Sequence, residues 1–560
     1  MPRHLSPAQA LPADVLRLIV KRLVVERRSV HFEAFCRINY LEELLAVCST
    51  WRQVAIEYLW RQLKLTINAI TNEVHLERPT WIKNKTLPHN AAHLTKIIHV
   101  GVPMSSIVNG VAQKLLVDYI RDSKCFPFVK KLTVEITGLK DQHIDSKESD
   151  IANTLEFAKL LKSMTPSAVT VKVICNGKFL PRGYVSTIPD RDWNEEVAIL
   201  TNVLYSSTKR AHLDLLMVDI SHKSTVNFIP LLTSLTLSCV KSPEVGASLL
   251  HMSANTLQYL SIDLQDANAL ICNASGEAVV YSKLQYLKMC GRVVIHSDAN
   301  STSSAIALFP VLRIIKLNMT YPFHDDVLFR GNTATLEYLS LKLDYNTVVL
   351  LNEKRVFESN NKALQHVSID EGFKNDDITR VPKSAMNRFL NNLVSATKRL
   401  TLLKRSLVRV CITAAQNGQG FSNITEFGVR YINLSVFEML STLKVLPSLV
   451  NFSGGISDLG PELDNISKDE LPDYVASTYC NTGKNLQVWG FNFYSEQTSD
   501  QLVNYALLLA LACPKLRRIE TMVESAGEYH AGISEALERD PYSKYAIRLN
   551  RMTNAVHNDM

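Results

Sequence analysis

Apolar residues recur along most of the chain in the spacing apolar–x–x–apolar–x–apolar. We call the first apolar position of each copy its anchor. The clearest copies have anchors at Leu232, Leu257, Leu284, Leu312, Leu336 and Leu364, separated by 25, 27, 28, 24 and 28 residues. Weaker copies have anchors at Leu94, Val129, Ala168, Leu213, Thr397, Ile424, Leu449, Leu486 and Leu516. Residues three and five positions after an anchor point to the same face of a strand, so the pattern predicts one short half-buried strand per copy.

Between the predicted strands the apolar spacing becomes helical, as in "EVGASLLHMSAN" (244–255) and "SDQLVNYALLLALAC" (499–513). A chain that alternates helices with similar strands forms a parallel sheet with helices on its outer side. One such unit cannot bury its apolar face alone, so the copies stack and share a continuous core. The number of copies between 135 and 210 stays open, because two predicted helices there have few clear strands between them.

Five of the copies carry a proline two positions before the anchor. These prolines are Pro127, Pro230, Pro310, Pro447 and Pro514. Proline lacks an N–H group and disfavours helical geometry in the residue before it. We therefore expect each of these prolines to mark the place where a helix stops and the next strand begins.

This repeat pattern resembles the leucine-rich-repeat superfamily, in its irregular variety, over roughly residues 90–525. The resemblance implies an α/β solenoid with parallel strands on the concave side and helices on the convex side. One feature of that superfamily is missing, namely the asparagine or cysteine eight positions after the anchor. Thr320, Asp344 and Gln265 stand there after Leu312, Leu336 and Leu257. An irregular arc with helices of variable length is therefore expected.

The first 65 residues have a different pattern. "LPADVLRLIVKRL" (11–23) predicts an amphipathic helix, with Pro12 suited to its first turn. After a polar interval, "LEELLAVCSTWRQVAIEYLWRQLKL" (41–65) carries a second helical apolar stripe that ends at Trp60. Two helices with facing apolar stripes predict a small helical module in front of the repeats.

The Leu-Pro pair, the following helix, "VCSTW" and the later "YLW" together resemble the F-box. In that family the helices bind the Skp-type adaptor of a cullin ubiquitin ligase. The resemblance implies that the adaptor is contacted by Leu11, Pro12, Val15, Leu16, Ile19, Leu44, Leu45 and Val47. It assigns the core of the module to Cys48, Trp51 and Trp60. The link across residues 24–43 is longer than is usual in the family, so a plain helical cap on the repeat array is the alternative.

Composition changes this picture little. Apolar residues make up 46% and charged residues 21% of the 560 positions, which is typical of a globular protein. The formal charge of +7 comes from dispersed groups, which argues against a nucleic-acid partner. The 10 cysteines have neither zinc nor redox spacing, and no stretch has the length of a signal peptide or a membrane span. We therefore expect reduced, buried thiols in a cytoplasmic or nuclear protein without a membrane partner.

The sequence offers no catalytic motif, no phosphate-binding loop and no cofactor fingerprint. "FHDD" (323–326) places a histidine beside two carboxylates, but a solvated loop after a strand explains it better than a metal site. We expect no cofactor and no enzyme activity.

These patterns predict four segments: an F-box-like module at 1–65, a linker or first capping segment at 66–90, the repeat array at 91–525, and a C-terminal cap helix and tail at 526–560. The expected function is substrate recognition for an SCF-type ubiquitin ligase, by a chain that is monomeric outside the ligase. The alternative is a repeat scaffold whose N-terminal module is only a cap. A nucleic-acid-binding array is a third hypothesis and would show strongly salt-dependent binding.

Overall fold

The computed structural model describes residues 11–25, 48–68, 71, 73–76, 91–120, 125–137, 147–176, 194–206, 208–216, 232–238, 249–263, 268–273, 275, 277–290, 307–323, 325–358, 363–371, 381–416, 420–480, 482–491 and 499–521. The chain divides into two compact units. Unit 1 contains Met1–Leu264 and Asn273–Ser275, and unit 2 contains Gln265–Cys272 and Gly276–Met560. Together the described residues form 17 strands, nearly all of them paired in parallel, which agrees with the predicted α/β fold.

Unit 1 begins with two helices and continues as a ladder of strands. Its elements are α1 (Ala13–Val25), α2 (Ser49–Leu59), β1 (Gln62–Asn68), β2 (Glu73–Leu76), α3 (Ala91–Leu94), β3 (Ile97–Pro103), α4 (Met104–Val108), α5 (Val111–Ile120), β4 (Lys131–Thr137), α6 (Lys147–Met164), β5 (Thr170–Asn176), α7 (Asn194–Tyr205), β6 (Arg210–Leu216), β7 (Leu232–Ser238) and β8 (Tyr259–Asp263). Strand β1 pairs antiparallel with β2 and parallel with β3, and each later strand pairs in parallel with the next. The ladder therefore begins at Gln62, within the range predicted for the helical module.

Unit 2 continues the same alternation. Its elements are α8 (Asn268–Ile271), β9 (Tyr286–Met289), β10 (Ile314–Thr320), β11 (Tyr338–Leu343), α9 (Tyr345–Glu353), β12 (His366–Glu371), α10 (Lys383–Val394), β13 (Arg399–Leu402), α11 (Arg405–Gln416), a 3₁₀ turn (Gly420–Asn423), β14 (Glu426–Leu434), α12 (Val436–Val445), β15 (Asn451–Ile456), α13 (Pro461–Asp464), α14 (Leu471–Thr478), β16 (Val488–Phe491), α15 (Ser499–Ala512) and β17 (Arg518–Thr521). Strands β9 to β17 pair in parallel in sequence order. The helix predicted over 499–513 is confirmed.

Burial alternates along the strands as the apolar pattern requires. In β5, for example, Val171, Val173 and Cys175 are buried while the residues between them are half-buried. Equivalent core positions on neighbouring strands are in register, as with Val134, Val173 and Leu213. Each strand thus gives one face to the shared core and leaves the other face available for contacts. We call that second face the open face.

A turn with one repeated hydrogen bond leads into many of the strands. The anchor N–H donates to the carbonyl three residues earlier, for example from Val129 to Phe126, Leu312 to Phe309, Leu449 to Leu446 and Leu516 to Cys513. In these four copies the proline is the second residue of the turn, where its fixed φ is favourable. Helices α12 and α15 end two residues before their prolines. Pro447 and Pro514 therefore separate helix from strand, as predicted, whereas Pro230 lies outside the described residues.

Two of the predicted anchors are wrong. The predicted anchor Leu94 would put Ile97 and His99 in the core, but both are half-buried and Ile98 and Val100 are fully buried instead. The position equivalent to an anchor is Thr95, which is 0% exposed and whose hydroxyl donates to the Trp60 carbonyl at 3.0 Å. This bond satisfies the threonine hydroxyl, so Thr95 can occupy the buried anchor position. The apolar pattern therefore indicated an anchor one residue too early.

The second error lies at β6. Leu213 is the second buried residue of its strand and not an anchor, because the strand begins at Arg210. The equivalent anchor position is Thr208, which is buried and whose hydroxyl donates to the Tyr205 carbonyl at 3.1 Å. Here too a threonine occupies the place where the pattern requires an apolar side chain.

Other side chains replace the missing asparagine of the repeat. Asn423 and Asn485, each directly before an anchor, donate to the carbonyls of Ser395 and Pro447 in the preceding copy at 2.7 and 3.0 Å. Asp344, which stands eight positions after an anchor, accepts from the Thr347 N–H at 2.8 Å and caps α9. Asn423 and Asn485 therefore link neighbouring copies from a position other than the one expected, whereas Asp344, at the expected position, caps a helix of its own copy.

Candidate binding surfaces

The N-terminal helices α1 and α2 pack into a small apolar cluster. Its buried members are Leu16, Val20, Trp51, Val54 and Ala55, with partly buried Leu11, Ala13, Ile19, Cys48 and Tyr58 around them. The two motif segments therefore meet in space, because Leu16 follows the Leu-Pro pair and Trp51 belongs to "VCSTW". Burial of such side chains stabilises each by about 1.5–3 kcal/mol, so the helix pair has a core of its own.

Polar contacts connect the same two helices. The Arg17 guanidinium donates to both oxygens of Glu57 at 3.1 Å and to Asp14 at 2.8 Å. The Tyr58 hydroxyl donates to the Arg17 carbonyl at 3.1 Å. Exposed ion pairs contribute little to stability, but this bidentate arrangement fixes how α1 lies on α2.

The structure places the residues predicted to contact the adaptor in different environments. Pro12 and Val15 are exposed, whereas Leu11 and Ile19 are partly buried at the edge of the cluster. Leu16 is 0% exposed and lies in the centre of the cluster. The assignment of Leu16 to a partner surface is therefore corrected: it is a core residue. Leu44, Leu45 and Val47 lie outside the described residues.

The residues predicted to hold the module together are all at least partly buried. Trp51 belongs to the helix-pair cluster and Cys48 packs against it. Trp60 is buried where α2 runs into β1, and its carbonyl accepts from Thr95. Trp60 therefore connects the helical module to the beginning of the strand ladder.

Sequence reasoning missed an exposed apolar side chain of α1, Leu18. Leu18 is 66% exposed and Val15 is 39% exposed, and three positions separate them on one helix face. The signal was present in "VLRLI", because a helix with apolar residues at 15, 16, 18, 19 and 20 has more of them than one stripe can bury. The surplus forms an exposed apolar patch, defined here as Pro12, Val15 and Leu18.

The open face of unit 1 carries charges of alternating sign. His99 on β3 hydrogen-bonds Glu135 on β4 at 3.1 Å, and Lys172 on β5 pairs with Asp214 on β6. The hydrogen bond to His99 is the largest influence that lowers the pKa of Glu135. Burial, with a smaller effect of Lys131 and Lys172, lowers the pKa of His212. These groups compensate one another across strands, as cross-strand pairs in sheets commonly do.

The open face of unit 2 carries an aromatic and cationic cluster. Tyr286, Tyr338 and His366 are the first residues of β9, β11 and β12, and Lys316 lies on β10 between them. The Lys316 ammonium is 5.3 Å from the ring centroid of Tyr286 and 5.1 Å from that of Tyr338. The Tyr338 and His366 rings meet edge to face at 4.4 Å. Cation–π contacts of this kind are attractive and hold the lysine in place.

Two of the described cysteines are buried and hold their protons. Burial raises the pKa of the Cys175 and Cys411 thiols to about 12, so both stay protonated at neutral pH. Cys125 and Cys480 are exposed, which corrects the expectation that the cysteines are buried. Within the described ranges, histidine, cysteine and carboxylate side chains do not gather in groups of three or more as metal ligands.

The carboxylates of "FHDD" have a structural role. Asp325 and Asp326 both form ion pairs with Arg330, at 3.2 and 2.9 Å. Asp325 also accepts from the Val327 N–H at 3.1 Å. These bonds hold the turn after β10, and His324 of the motif lies outside the described residues.

A shallow cavity of about 550 Å³ lies at the residues that directly precede β12, β13 and β14. It is lined by Gln365, Ser395, Ala396, Lys398, Asn423, Thr425 and Ser448. Asn423 and Thr425 already donate to backbone carbonyls of the preceding copy. The cavity is therefore the seam between copies.

A scan against protein-family models and a search of curated proteins both found no match to this chain. Among the described residues, every helix is too short or too polar to cross a lipid bilayer.

Proposed function

We propose that the protein is a substrate-recognition subunit of an SCF-type ubiquitin ligase. In this proposal the N-terminal helix pair binds the Skp-type adaptor, and the open faces of the strand ladders bind a protein substrate. The observation that carries it is the helix pair itself. Leu16 and Trp51, from the two F-box-like segments, pack together, while Val15 and Leu18 remain exposed next to them.

The proposed mechanism needs no catalytic group on this chain. A receptor that holds the adaptor at one end and a substrate on its strands raises the local concentration of substrate lysines near the conjugating enzyme. Each parallel ladder supplies an extended face with polar, aromatic and charged side chains. Such faces suit protein recognition, because many weak contacts spread over a large area give specificity.

The first experiment is co-purification of the full chain with the Skp-type adaptor of the same organism. The test variant is Val15→Glu/Leu18→Glu, which places two charges in the exposed patch of α1 without touching Leu16. The matched control is Val117→Glu, because Val117 is 54% exposed on α5 of the same unit. We expect the wild type and the control to bind, and the double variant to lose at least about tenfold in affinity, or ~1.4 kcal/mol.

The alternative is the repeat scaffold with a helical cap. A folded wild-type protein that does not bind the adaptor would establish this alternative and remove the ubiquitin role. Equal binding by the wild type and the double variant would show that the patch on α1 is not the contact surface. Circular dichroism of each variant verifies that the fold is kept.

A further inference from the structure

Four exposed basic side chains gather at the start of β4 and β6 in unit 1. Lys131 and Arg210 are the first residues of these strands, and Lys130 and Lys209 directly precede them. All four side chains are exposed. The two pairs are distant in the sequence, and they come together because β5 pairs in parallel with both strands. We call these four residues the basic pairs.

Strand β5 passes between the basic pairs with short side chains. Thr170 is in register with Lys131 on one side and with Arg210 on the other, and Val169 directly precedes it. Both Thr170 and Val169 are half-buried. Neighbouring strands are about 4.8 Å apart, so the backbones of β4 and β6 are separated by about 9.6 Å. The space above the start of β5 is therefore wide enough for one extended chain.

The basic pairs have no ion-pair partner among the described residues. The acids of the same face, Glu135 and Asp214, lie four residues farther along β4 and β6, which is about 13 Å in an extended strand. They are already engaged with His99 and Lys172. Helices α6 and α7 end before β5 and β6 and direct about half a negative charge each toward this edge. Because the four positive charges exceed this contribution, the start of the ladder is positive.

The charges of Lys131 and Arg210 converge on the same place. Burial lowers the pKa of His212 on β6 most, and the charge of Lys131 is the next largest influence although its strand is two strands away. The Lys131 ammonium therefore reaches over β5 toward β6. Arg210 also lowers the pKa of His212. An anion above Thr170 would thus lie between an ammonium and a guanidinium group.

Corresponding positions in unit 2 include charges that are compensated. Two ion pairs connect residues at the strand starts of adjacent copies, Arg313–Glu337 at 2.5 Å and Arg399–Glu426 at 3.5 Å. Lys288 on β9 and Lys316 on β10 are directly in register, but the Lys316 ammonium lies about 5 Å from two tyrosine rings. Several charges at the strand starts of unit 2 are therefore balanced inside the unit, unlike the basic pairs.

We propose that the basic pairs bind a short acidic segment of a protein partner, which lies in extended form above the start of β5. Successive side chains of an extended chain point to opposite sides, so two consecutive acidic residues reach the basic pair on β4 and the one on β6. An open sheet face encloses no small anion, whereas an extended segment gains the further contacts that binding requires. This site names the substrate class of the strand array, so in that respect it rests on the proposed function.

The geometry favours a peptide over nucleic acid. A duplex, whose major groove alone is about 12 Å wide, is too broad for the space between β4 and β6. Proteins that bind single strands stack bases on aromatic faces along a basic groove. The exposed Phe128 ring at this edge already has the Lys96 ammonium 4.5 Å from its centroid and the His93 ring at 6.1 Å. A stacked base would have to displace Lys96, whereas a carboxylate needs no ring.

The experiment measures binding of fluorescent peptides to the full chain by anisotropy at physiological salt. The acidic probe has a central run of alternating aspartate and glutamate, and the amide probe has asparagine and glutamine in their place. The test variant is Lys131→Gln/Arg210→Gln. The matched control is Lys114→Gln/Lys159→Gln, which removes the same charge from exposed positions on α5 and α6 of the same unit. A second variant, Lys131→Arg/Arg210→Lys, keeps both charges.

We expect the wild type, the control and the charge-keeping variant to bind the acidic probe at least about tenfold more tightly than the amide probe, and the test variant to lose that preference. Equal affinity of the wild type for both probes would overturn the proposal, as would an undiminished preference in the test variant. A DNA duplex of random sequence is measured in parallel. Tighter binding of the duplex than of the acidic probe, lost in the test variant, would replace the peptide by nucleic acid.

This result is separable from that of the adaptor test. The adaptor is absent from the assay, and Val15→Glu/Leu18→Glu should keep the full preference for the acidic probe. Adaptor binding without acidic preference would refute this substrate class and leave the ligase role in place. Acidic preference without adaptor binding would refute the ligase role and leave the peptide site in place.

Discussion

Glu438 is a buried carboxylate that connects two helices of unit 2. It accepts from Arg405 Nε at 2.8 Å and from Arg409 Nε at 3.1 Å, both on α11. It also accepts from the Ser435 N–H at 3.1 Å and completes a capping box at the start of α12. One side chain therefore fixes the beginning of α12 and its packing on α11.

This geometry predicts the pH dependence of stability. Burial is the largest influence and raises the pKa of Glu438, but the bonds from Arg405 and Ser435 and the charge of Arg405 together lower it below 4.5. A carboxyl with a lowered folded pKa stabilises the protein fully above its unfolded pKa and loses this effect as pH falls through the folded value. We expect Glu438→Gln to lower the free energy of unfolding by about 1–3 kcal/mol at neutral pH, with the difference shrinking as pH falls below 4.5.

Thermal unfolding from neutral to acid pH tests this expectation. Glu470→Gln is the control, because Glu470 is exposed and its side chain does not cap α14. A loss of stability in Glu438→Gln that is equal at all pH values would show that the carboxylate charge plays no part.

At the scale of a single residue, the sequence predicted which residues form the helix pair better than it predicted which of them are buried. The pattern found Leu16 and Trp51, but the resemblance assigned Leu16 to a partner while the structure buries it. Helical spacing alone does not decide which of two adjacent apolar residues faces inward, because Val15 and Leu16 differ by only one position. Leu18 was missed for the same reason.

At the scale of an element, the turn before each strand allows two contributions to stability to be compared. One is the restriction of the backbone by proline, and the other is the packing of the anchor in the core. Pro447 is an exposed second residue of its turn, whereas Leu449 is a buried anchor. We expect Pro447→Ala to cost about 0.4–1 kcal/mol, because proline acts mainly by restricting the unfolded chain. We expect Leu449→Ala to cost about 2–5 kcal/mol, because it leaves a cavity in the shared core.

Denaturant unfolding of the two variants measures the difference. Two losses of similar size would show that the turn is as important as the anchor. The test is specific to this copy, since both changes lie within three residues of each other.

The strands themselves were predicted, but the anchor was misplaced at Thr95 and Thr208, two of the three copies in which it is a threonine. The tripeptide Thr-Lys-Arg occurs at 208 and again at 397, where Thr397 was correctly taken as an anchor. The same signal at 208, and Thr-Lys at 95, would have corrected both errors. A hydroxyl bonded to a nearby carbonyl behaves as a small core residue, which an apolar pattern does not represent.

For the whole molecule, each strand contacts mainly its sequence neighbours, and stability should follow nearest-neighbour rules. We expect Leu213→Ala, at a fully buried position in β6, to speed amide hydrogen exchange in β5 to β7 and to leave β12 to β14 unchanged. Leu400→Ala in β13 should produce the reverse pattern. Faster exchange in both units from either change would contradict independent local stability.

The division into two units near residue 264 was not predicted. The repeat pattern continues through this region with anchors at Leu257 and Leu284, so nothing in its spacing marks a boundary. Compact units are defined by contacts that the apolar period does not encode.

The register of Lys288 and Lys316 has a consequence for how such a chain evolves. Gain of one copy before β9 or after β10 leaves their spacing at one strand, about 4.8 Å. Gain of one copy between them would double it to about 9.6 Å, so the two ammonium groups would no longer be on neighbouring strands. Duplication can therefore lengthen the protein at most junctions without separating these two charges, while at the β9–β10 junction one added copy would separate them in a single genetic step.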